Sequence, residues 1–170
     1  MRMLFEMDKK DYNPNGSVSS RPSARGIIIK DGKVAMVHSK KYDYYVFPGG
    51  GIEAGEHKEE ALIREVLEET GLCVIKSSIQ EYGQVHRVQK GIKEDMFIQD
   101  NYYFFCSVNE DKKRQNLDRY EADEDFTLEF LAPRLAIDTN RKNVLDDYRH
   151  IMWEQEAMVL ELLIKEGYLK

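Results

Sequence analysis

The stretch 46–72, VFPGGGIEAGEHKEEALIREVLEETGL, combines a strand end, a glycine-rich loop and a helix. Pro48 and the three glycines after it interrupt regular structure, and the spacing of apolar residues then predicts a helix over 57–70. Gly71 stands where a left-handed residue commonly ends a helix. One arc of the helix is apolar and suits a core, whereas the neighbouring arc is crowded with carboxylates.

Those carboxylates are Glu65, Glu68 and Glu69, and they are poorly placed for an isolated helix. Glu68 and Glu69 lie in the last turn, where the helix dipole disfavours negative charge, and Glu65 repels Glu69 four residues later. Arg64 offsets only part of this cost. A local rule broken without local compensation indicates a functional site, and clustered carboxylates suit Mg²⁺, which prefers oxygen ligands. For a bare run of glutamates, however, a solvated helix face is the better interpretation.

The wider spacing is far more specific than the glutamates alone. Gly50, Glu56, Arg64-Glu65-Val66, Glu68-Glu69 and Gly71-Leu72 stand in a pattern that resembles the signature of the Nudix hydrolases, G-x5-E-x7-R-E-U-x-E-E-x-G-U with U aliphatic. Every specified position matches. The resemblance implies an α/β fold, the Nudix α/β/α sandwich with a mixed β-sheet. We expect a single domain over residues 1–170, with a lead-in over 1–22, the signature over 50–72 and a C-terminal helical segment over 143–166.

The resemblance also implies a reaction. A Nudix-type pyrophosphohydrolase would cleave the diphosphate linkage between a nucleoside diphosphate and another moiety, as in a nucleoside triphosphate, by attack of water on phosphorus. By this resemblance the metal ligands for Mg²⁺, or Mn²⁺, would be Glu65, Glu68 and Glu69, the catalytic residues Glu68, Arg64 and Glu65, and the supporting residues Gly50, Gly51, Glu56 and Gly71. The alternative is a Nudix-fold module that binds a nucleotide without hydrolysing it. Such modules usually lose the glutamates that this chain keeps.

Further candidates lie outside the signature. The general base varies within the family, and the acidic segment before residue 127 offers Glu121 and Glu124, although an acidic surface loop is the simpler interpretation of each. Arg25 and Lys40 are candidates for contacting a substrate phosphate, with surface solubility as the alternative. The region 83–89 lacks the proline typical of the ADP-ribose branch, and the lead-in Phe-Pro-Gly-Gly at 47–50 looks like the branch that cleaves nucleoside triphosphates.

Net charge, apolar run length and cysteine count argue against several other classes of protein. The 170 residues carry a net charge of −6, which argues against binding to a nucleic-acid backbone. No apolar run reaches membrane-spanning length, no signal peptide is visible, and Cys73 and Cys106 are too few for a disulfide framework. We therefore expect a cytoplasmic protein, monomeric or homodimeric, whose partner is a small-molecule nucleotide and not a membrane or a nucleic acid.

Hydrophobic patterning predicts the remaining elements. Strands are expected over 3–7, 24–29, 34–38, 44–47, 79–88, 97–108 and 127–131, with a hairpin turn at Asp31-Gly32. Residues 109–125 are expected to form a loop, and residues 135–138 a short helix or a loop. A helix is expected to begin within 143–150, to be clear over 153–165 and to stop at Gly167.

Overall fold

The computed structural model describes residues 1–143 and 148–170, apart from the side chains of residues 110–112. The helices are α1 (Lys58–Thr70), α2 (Arg119–Asp123), α3 (Pro133–Lys142) and α4 (His150–Lys165), with a 3₁₀ turn at Lys76–Ser78. The strands are β1 (Met3–Asp8), β2 (Val18–Ser20), β3 (Ser23–Ile27), β4 (Ile29–Lys30), β5 (Lys33–Ser39), β6 (Tyr44–Val46), β7 (Gly49–Gly51), β8 (Leu72–Val74), β9 (Gln80–Gln89), β10 (Met96–Phe105), β11 (Val108–Lys112) and β12 (Phe126–Leu131).

The largest sheet has the order β1–β9–β10–β3–β7, with β2 also beside β10. The strands β9 and β10 pair antiparallel, β1 and β3 join their outer edges in parallel, and β7 returns antiparallel to β3. Because β7 carries the glycines and α1 follows it, this sheet edge places the signature residues.

The lead-in is part of this sheet. The predicted strand over 3–7 is confirmed by β1, and β2 is an addition that the sequence pattern did not predict. Both β2 and β3 run parallel to β10, along successive parts of the same edge. Pro22 lies between them, and a proline cannot donate the hydrogen bond that would make the two strands continuous.

A second sheet, β12–β5–β4 with β6 also beside β5, is antiparallel throughout. The predicted hairpin between β4 and β5 is confirmed. Asp31 and Gly32 both have positive φ values, 51° and 73°, as a tight two-residue hairpin turn requires. The strands β8 and β11 form a separate short antiparallel pair.

Successive residues of β10 face opposite sides of the main sheet. Tyr103 packs in a buried cluster with Ala157 and Leu160 of α4, whereas Phe104 packs in another with Leu62 of α1. The helix α1 therefore covers one face, and α4, packed against α3, covers the other. The predicted α/β/α sandwich with a mixed sheet is confirmed.

Several local predictions were wrong or incomplete. The glycines at 49–51, expected to interrupt regular structure, form the short strand β7, and the strands expected over 24–29 and 97–108 are each interrupted, at residue 28 and at residues 106–107. The segment 109–125 is not all loop, because it contributes to β11 and contains α2. The helix expected over 135–138 is longer, since Pro133 occupies the first turn of α3, where its missing N–H costs nothing. The predicted helix start within 143–150 falls partly on residues 144–147, which lie outside the described residues, and α4 is described from His150 onward.

Two further observations concern the whole described chain. Over residues 1–143 and 148–170, no helix combines the length and the hydrophobicity needed to cross a bilayer. Cys73 and Cys106 are both free thiols. Cys106 is buried in the cluster beneath α1, and burial raises the pKa of its thiol to about 12.

Candidate active site

Helix α1 is held against the sheet by its apolar arc, in which Ala61, Leu62 and Val66 are completely buried. Gly71 ends the helix with a left-handed φ of 73°, and its N–H donates to the Leu67 carbonyl at 2.8 Å. The predicted helix and its glycine cap are confirmed. The glutamates lie beside this arc, and Glu69 is itself buried with it.

The last turn of α1 is stabilised by a distant segment. The backbone N–H of Asn116 donates to the Glu68 carbonyl at 2.9 Å, and that of Lys113 donates to the Gly71 carbonyl at 2.7 Å. These bonds satisfy carbonyl groups that a helix end leaves without partners. They also fix the loop that precedes α2 next to the signature glutamates.

Arg64 is the centre of the polar side of α1. Its Nε and Nη2 donate to the two Glu56 oxygens, each at 2.8 Å, and its Nη1 donates to Glu65 Oε1 at 2.6 Å and to Glu68 Oε2 at 3.4 Å. Nη2 also donates to the Gly51 carbonyl at 3.0 Å. The hydrogen bonds from Arg64 lower the pKa of Glu56. One guanidinium therefore joins the loop to two of the three candidate metal ligands.

Glu69, the third candidate ligand, is buried and differs from the others. Its Oε2 accepts the Gly49 N–H at 2.8 Å, and its side chain lies beneath the glycine loop. Burial raises the pKa of Glu69 to about 8, and the negative charges of Glu121 and Glu65 act in the same direction. A nearby cation stabilises the charged form of a carboxylate whose pKa is raised in this way.

Two successive glycines of β7 allow close approaches, and glycine is required at the first of them. Gly49 has a φ of 136°, and a side chain there would overlap the Ala24 carbonyl oxygen. At Gly50, a Cβ would overlap the carboxylate of Glu65. The backbone of Gly50 therefore lies directly against a candidate metal ligand, and a larger residue there would displace the Glu65 carboxylate.

An open cleft of about 420 Å³ lies along this polar face. Its lining consists of Arg21, Gly51, Ile52, Glu53, Arg64, Glu65, Glu68 and Asp118. The sequence reasoning missed Arg21 and Asp118. No spacing marks them, because Arg21 is placed by the pairing of β2 with β10, and Asp118 is placed by the loop that caps α1.

The two candidates for the general base are separated. Glu121 is buried, accepts the Asp118 N–H and the Tyr120 hydroxyl at 2.8 Å each, and acts electrostatically on Glu69. It therefore lies on the side of the signature glutamates.

Glu124 lies in a different cluster. It accepts the Tyr44 hydroxyl at 2.6 Å, the Ser39 hydroxyl at 3.0 Å and Nη1 of Arg149 at 2.7 Å. The structure does not bring Glu124 to the cleft.

The two candidates for phosphate binding also lie away from the cleft lining. Nη1 of Arg25 donates to the carbonyl oxygens of Phe47 at 3.0 Å and Gly49 at 2.6 Å. Lys40 is half exposed and lies 3.9 Å from a carboxylate oxygen of Asp125. The geometry gives Arg25 a role in holding the loop and gives Lys40 no contact with the signature.

The residues of this face fit a divalent cation by their chemistry. Carboxylate oxygens and a close backbone carbonyl are the ligands that a hard cation prefers. In the described part of the chain, no three His, Cys, Asp or Glu side chains already converge as a metal-binding group. Glu69 is engaged by Gly49 and Glu65 by Arg64, so these side chains would reorient to share one ion.

Comparison with known proteins agrees with this geometry. The family model described as NUDIX domain matches residues 20–152. An ADP-ribose pyrophosphatase of Methanocaldococcus jannaschii is 34% identical over 128 residues, which cover 72% of this chain and 69% of that protein. A putative 8-oxo-dGTP diphosphatase of Bacillus subtilis is 25% identical over 128 residues, covering 73% of this chain and 76% of that protein.

A solved structure supports the fold. The MutT NUDIX hydrolase of Burkholderia pseudomallei superposes with a TM-score of 0.51 at 16% identity, over 81% of this chain and 98% of that one. At this identity the likeness concerns the fold alone. Together, the complete signature, the family model and the archaeal relative establish that this chain belongs to the Nudix hydrolase family and is a Nudix-type pyrophosphohydrolase.

Proposed function

We propose that this enzyme is a Mg²⁺-dependent hydrolase that cleaves the diphosphate linkage between a nucleoside diphosphate and another moiety. The observation that carries the proposal is the Arg64 centre, which joins Glu56, Glu65 and Glu68 beside a cleft of about 420 Å³. Nudix enzymes generally use divalent metal ions and act on small nucleotides. A cleft of this size suits one such molecule.

Each residue has a defined role in this proposal. Glu65, Glu68 and Glu69 would hold the metal, which would neutralise charge on the phosphate oxygens and acidify a bound water. Arg64 would keep Glu65 and Glu68 in place, because charge-assisted hydrogen bonds fix both distance and direction. Glu56 would orient Arg64 and the loop, to which it is also bonded through the Glu53 N–H at 2.9 Å.

Glu121 is our candidate for accepting the proton of the attacking water. Its charge acts on Glu69 of the signature, whereas Glu124 is bonded in the separate cluster described above. A carboxylate that accepts a hydrogen bond from the attacking water can take its proton as the new bond to phosphorus forms.

Two substrate classes deserve the first test. The archaeal relative is named an ADP-ribose pyrophosphatase, whereas the Bacillus relative is named a putative 8-oxo-dGTP diphosphatase. The lead-in at 47–50 favours nucleoside triphosphates, and the absence of a proline in 83–89 disfavours ADP-ribose. We further propose that the enzyme is cytoplasmic, with which its two free thiols agree, and that it acts on a small nucleotide as a monomer or a homodimer.

The test is a panel assay with purified protein. Nucleoside triphosphates, oxidised ones included, ADP-ribose, nucleotide sugars, dinucleoside polyphosphates and NADH are each supplied with Mg²⁺ and with EDTA. Released phosphate, pyrophosphate and nucleoside monophosphate are measured. We expect Mg²⁺-dependent cleavage of one class, and Mn²⁺ should substitute for Mg²⁺.

Two variants of α1 make the assay specific. Glu68→Gln should lower turnover by about 100-fold or more, because it removes a charge that balances the metal, while the circular dichroism spectrum stays unchanged. Glu59→Gln removes a carboxylate from the first turn of the same helix and should leave turnover unchanged. Wild-type activity in Glu68→Gln would contradict the metal assignment.

A further inference from the structure

The segment 47–49, which leads into the glycine loop, is held by charged side chains. On either side of Pro48, the N–H of Phe47 donates to Glu156 Oε2 and the N–H of Gly49 donates to Glu69 Oε2, each at 2.8 Å. The two corresponding carbonyl oxygens both accept from Nη1 of Arg25, as described above. Ordinary strand pairing does not require charged partners, so this arrangement calls for a further explanation.

The partners of the segment are buried, which makes their hydrogen bonds strong. Glu156 is 0% exposed and Glu69 is 3% exposed. Burial alone would lower the pKa of Arg25, but the negative charges of Glu156 and Glu69 outweigh it and raise that pKa. Arg25 therefore stays charged and interacts electrostatically with Glu156 and Glu69, although burial raises the pKa of both acids. Removing one member of such a set leaves a buried charge without compensation.

Glu156 belongs to α4, on the face of the sheet opposite α1. Its second oxygen, Oε1, accepts the Tyr103 hydroxyl at 3.0 Å, and that hydroxyl in turn accepts from Gln155 Nε2 at 2.7 Å. The carboxylate is thus fixed by a buried strand and by its own helix. It does not line the cleft, so it has no direct contact with a substrate there.

We propose that Glu156 is a positioning residue for the metal site. It fixes the segment 47–49 by its hydrogen bond with the Phe47 N–H and by its electrostatic attraction to Arg25. That segment in turn sets the positions of the Gly50 backbone and of Glu69. The inference rests on the proposed function, since it assumes that Gly50 and Glu69 face a bound cation. It links the C-terminal helix to the metal site across the main sheet.

The experiment uses Glu156→Gln, which keeps the length of the side chain and an oxygen acceptor for Phe47 but removes the charge. Binding of Mn²⁺ to the substrate-free protein is followed by the electron paramagnetic resonance signal of free Mn²⁺. We expect the Mn²⁺ dissociation constant to rise about 10-fold, in the range seen when outer partners of metal ligands are removed. The Mg²⁺ concentration that gives half-maximal turnover should rise in parallel, with KM for the substrate at saturating Mg²⁺ changed less than twofold.

Val159→Ala is the matched control. Val159 is a completely buried residue of α4 that shares a hydrophobic cluster with Phe47, so its truncation removes packing near the segment 47–49 and keeps the hydrogen bonds of that segment. Its truncation should lower stability and leave Mn²⁺ binding unchanged. This control separates a loss of general stability from a loss of positioning.

Arg25→Lys is the second variant, and it decides the question if Glu156→Gln does not fold. Lysine keeps the charge but replaces the guanidinium with a single nitrogen on a flexible stem, so Mn²⁺ affinity should again fall. A folded Glu156→Gln with wild-type Mn²⁺ affinity, or a wild-type affinity in Arg25→Lys where Glu156→Gln is unfolded, would overturn the proposal.

Failure of the proposed function gives a different result. If the wild-type protein binds Mn²⁺ but cleaves nothing in the panel, the substrate class is wrong, and the affinity change still decides the role of Glu156. A wild-type protein that binds no Mn²⁺ would overturn both the metal assignment and the positioning role.

Discussion

At the scale of single residues, the carboxylates of the site lie in very different environments. Glu56 is bonded to Arg64, which lowers its pKa, whereas Glu69 lies beneath the glycine loop, where burial raises its pKa to about 8. Both belong to the same signature. The environment, and not the residue type, therefore decides whether each carboxylate is charged in the metal-free protein.

The raised pKa of Glu69 makes stability depend on pH. Its ordinary pKa is 4.5, so between pH 4.5 and about 8 this side chain binds more protons in the folded protein than in the unfolded chain. The contribution of Glu69 to the free energy of unfolding therefore falls as pH rises through this range, by at most about 1.4 kcal/mol per pH unit. In EDTA, Tm should decline more steeply from pH 5 to pH 8 in the wild type than in Glu69→Gln.

The matched variant for this pH series is Glu59→Gln, which should follow the wild type. Equal slopes in the wild type and in Glu69→Gln would mean that Glu69 titrates normally. Mg²⁺ should stabilise the wild type most at the upper end of the range, where the carboxylate is otherwise charged and unbalanced.

Arg64→Lys is expected to lower kcat by about 10-fold to 100-fold, because lysine cannot donate to Glu56 with two nitrogens and to Glu65 with a third. The control is Arg141→Lys, since Arg141 makes a similar set of bonds to Glu154 and Glu161 on the surface of α3 and α4. The two variants should lose comparable stability, as judged by urea unfolding. A comparable loss of kcat in both would indicate a general effect on the fold.

Some of these residues could be predicted from sequence and others could not. Glu56, Arg64 and the three glutamates follow a spacing along one loop and one helix, so a pattern can find them. Arg25 is bonded to carbonyl groups 22 and 24 residues away, and Glu156 is bonded to an N–H 109 residues away. Contacts at such separations depend on strand pairing and helix packing that no local pattern contains.

At the scale of elements, the strand β7 tolerates few substitutions at its first residue, Gly49. Gly49→Ala should cost about 3 kcal/mol or more, because the φ of 136° is unfavourable for alanine and the Cβ would overlap the Ala24 carbonyl. Gly55→Ala should cost only about 1 kcal/mol, since its φ of 82° is strained but no atom lies within 4 Å of the added Cβ. Urea denaturation of the two variants tests this difference, and equal losses would contradict it.

Elements with strong local signals were predictable. The Asp31-Gly32 hairpin and the Gly71 cap each depend on residues that are adjacent in the chain. By contrast, β2 is three residues long and α2 is five residues long, and both form where they meet the rest of the molecule. Elements of this length have too little pattern of their own, so tertiary contacts decide them.

At the scale of the whole molecule, the two helical layers share one sheet. The residue Trp153, the single tryptophan of the sequence, is completely buried in α4 and lies against Tyr44, with ring centroids 5.1 Å apart. We expect its fluorescence and the far-ultraviolet circular dichroism to change in one coincident urea transition, as one domain requires. Two separated transitions would mean that the layers unfold independently and that the single-domain prediction is wrong.

The burial of Cys106 offers a way to observe motion of α1 relative to the main sheet. Its thiol lies beneath α1, packed with Leu62 and Val66, so we expect an alkylating reagent to reach it mainly when that helix separates from the sheet. In a Cys73→Ser variant, the rate of alkylation therefore measures how often the helix that carries the glutamates opens. A ligand that slows this reaction reduces the opening of the helix that binds it, and the alkylation rate of one thiol measures that reduction directly.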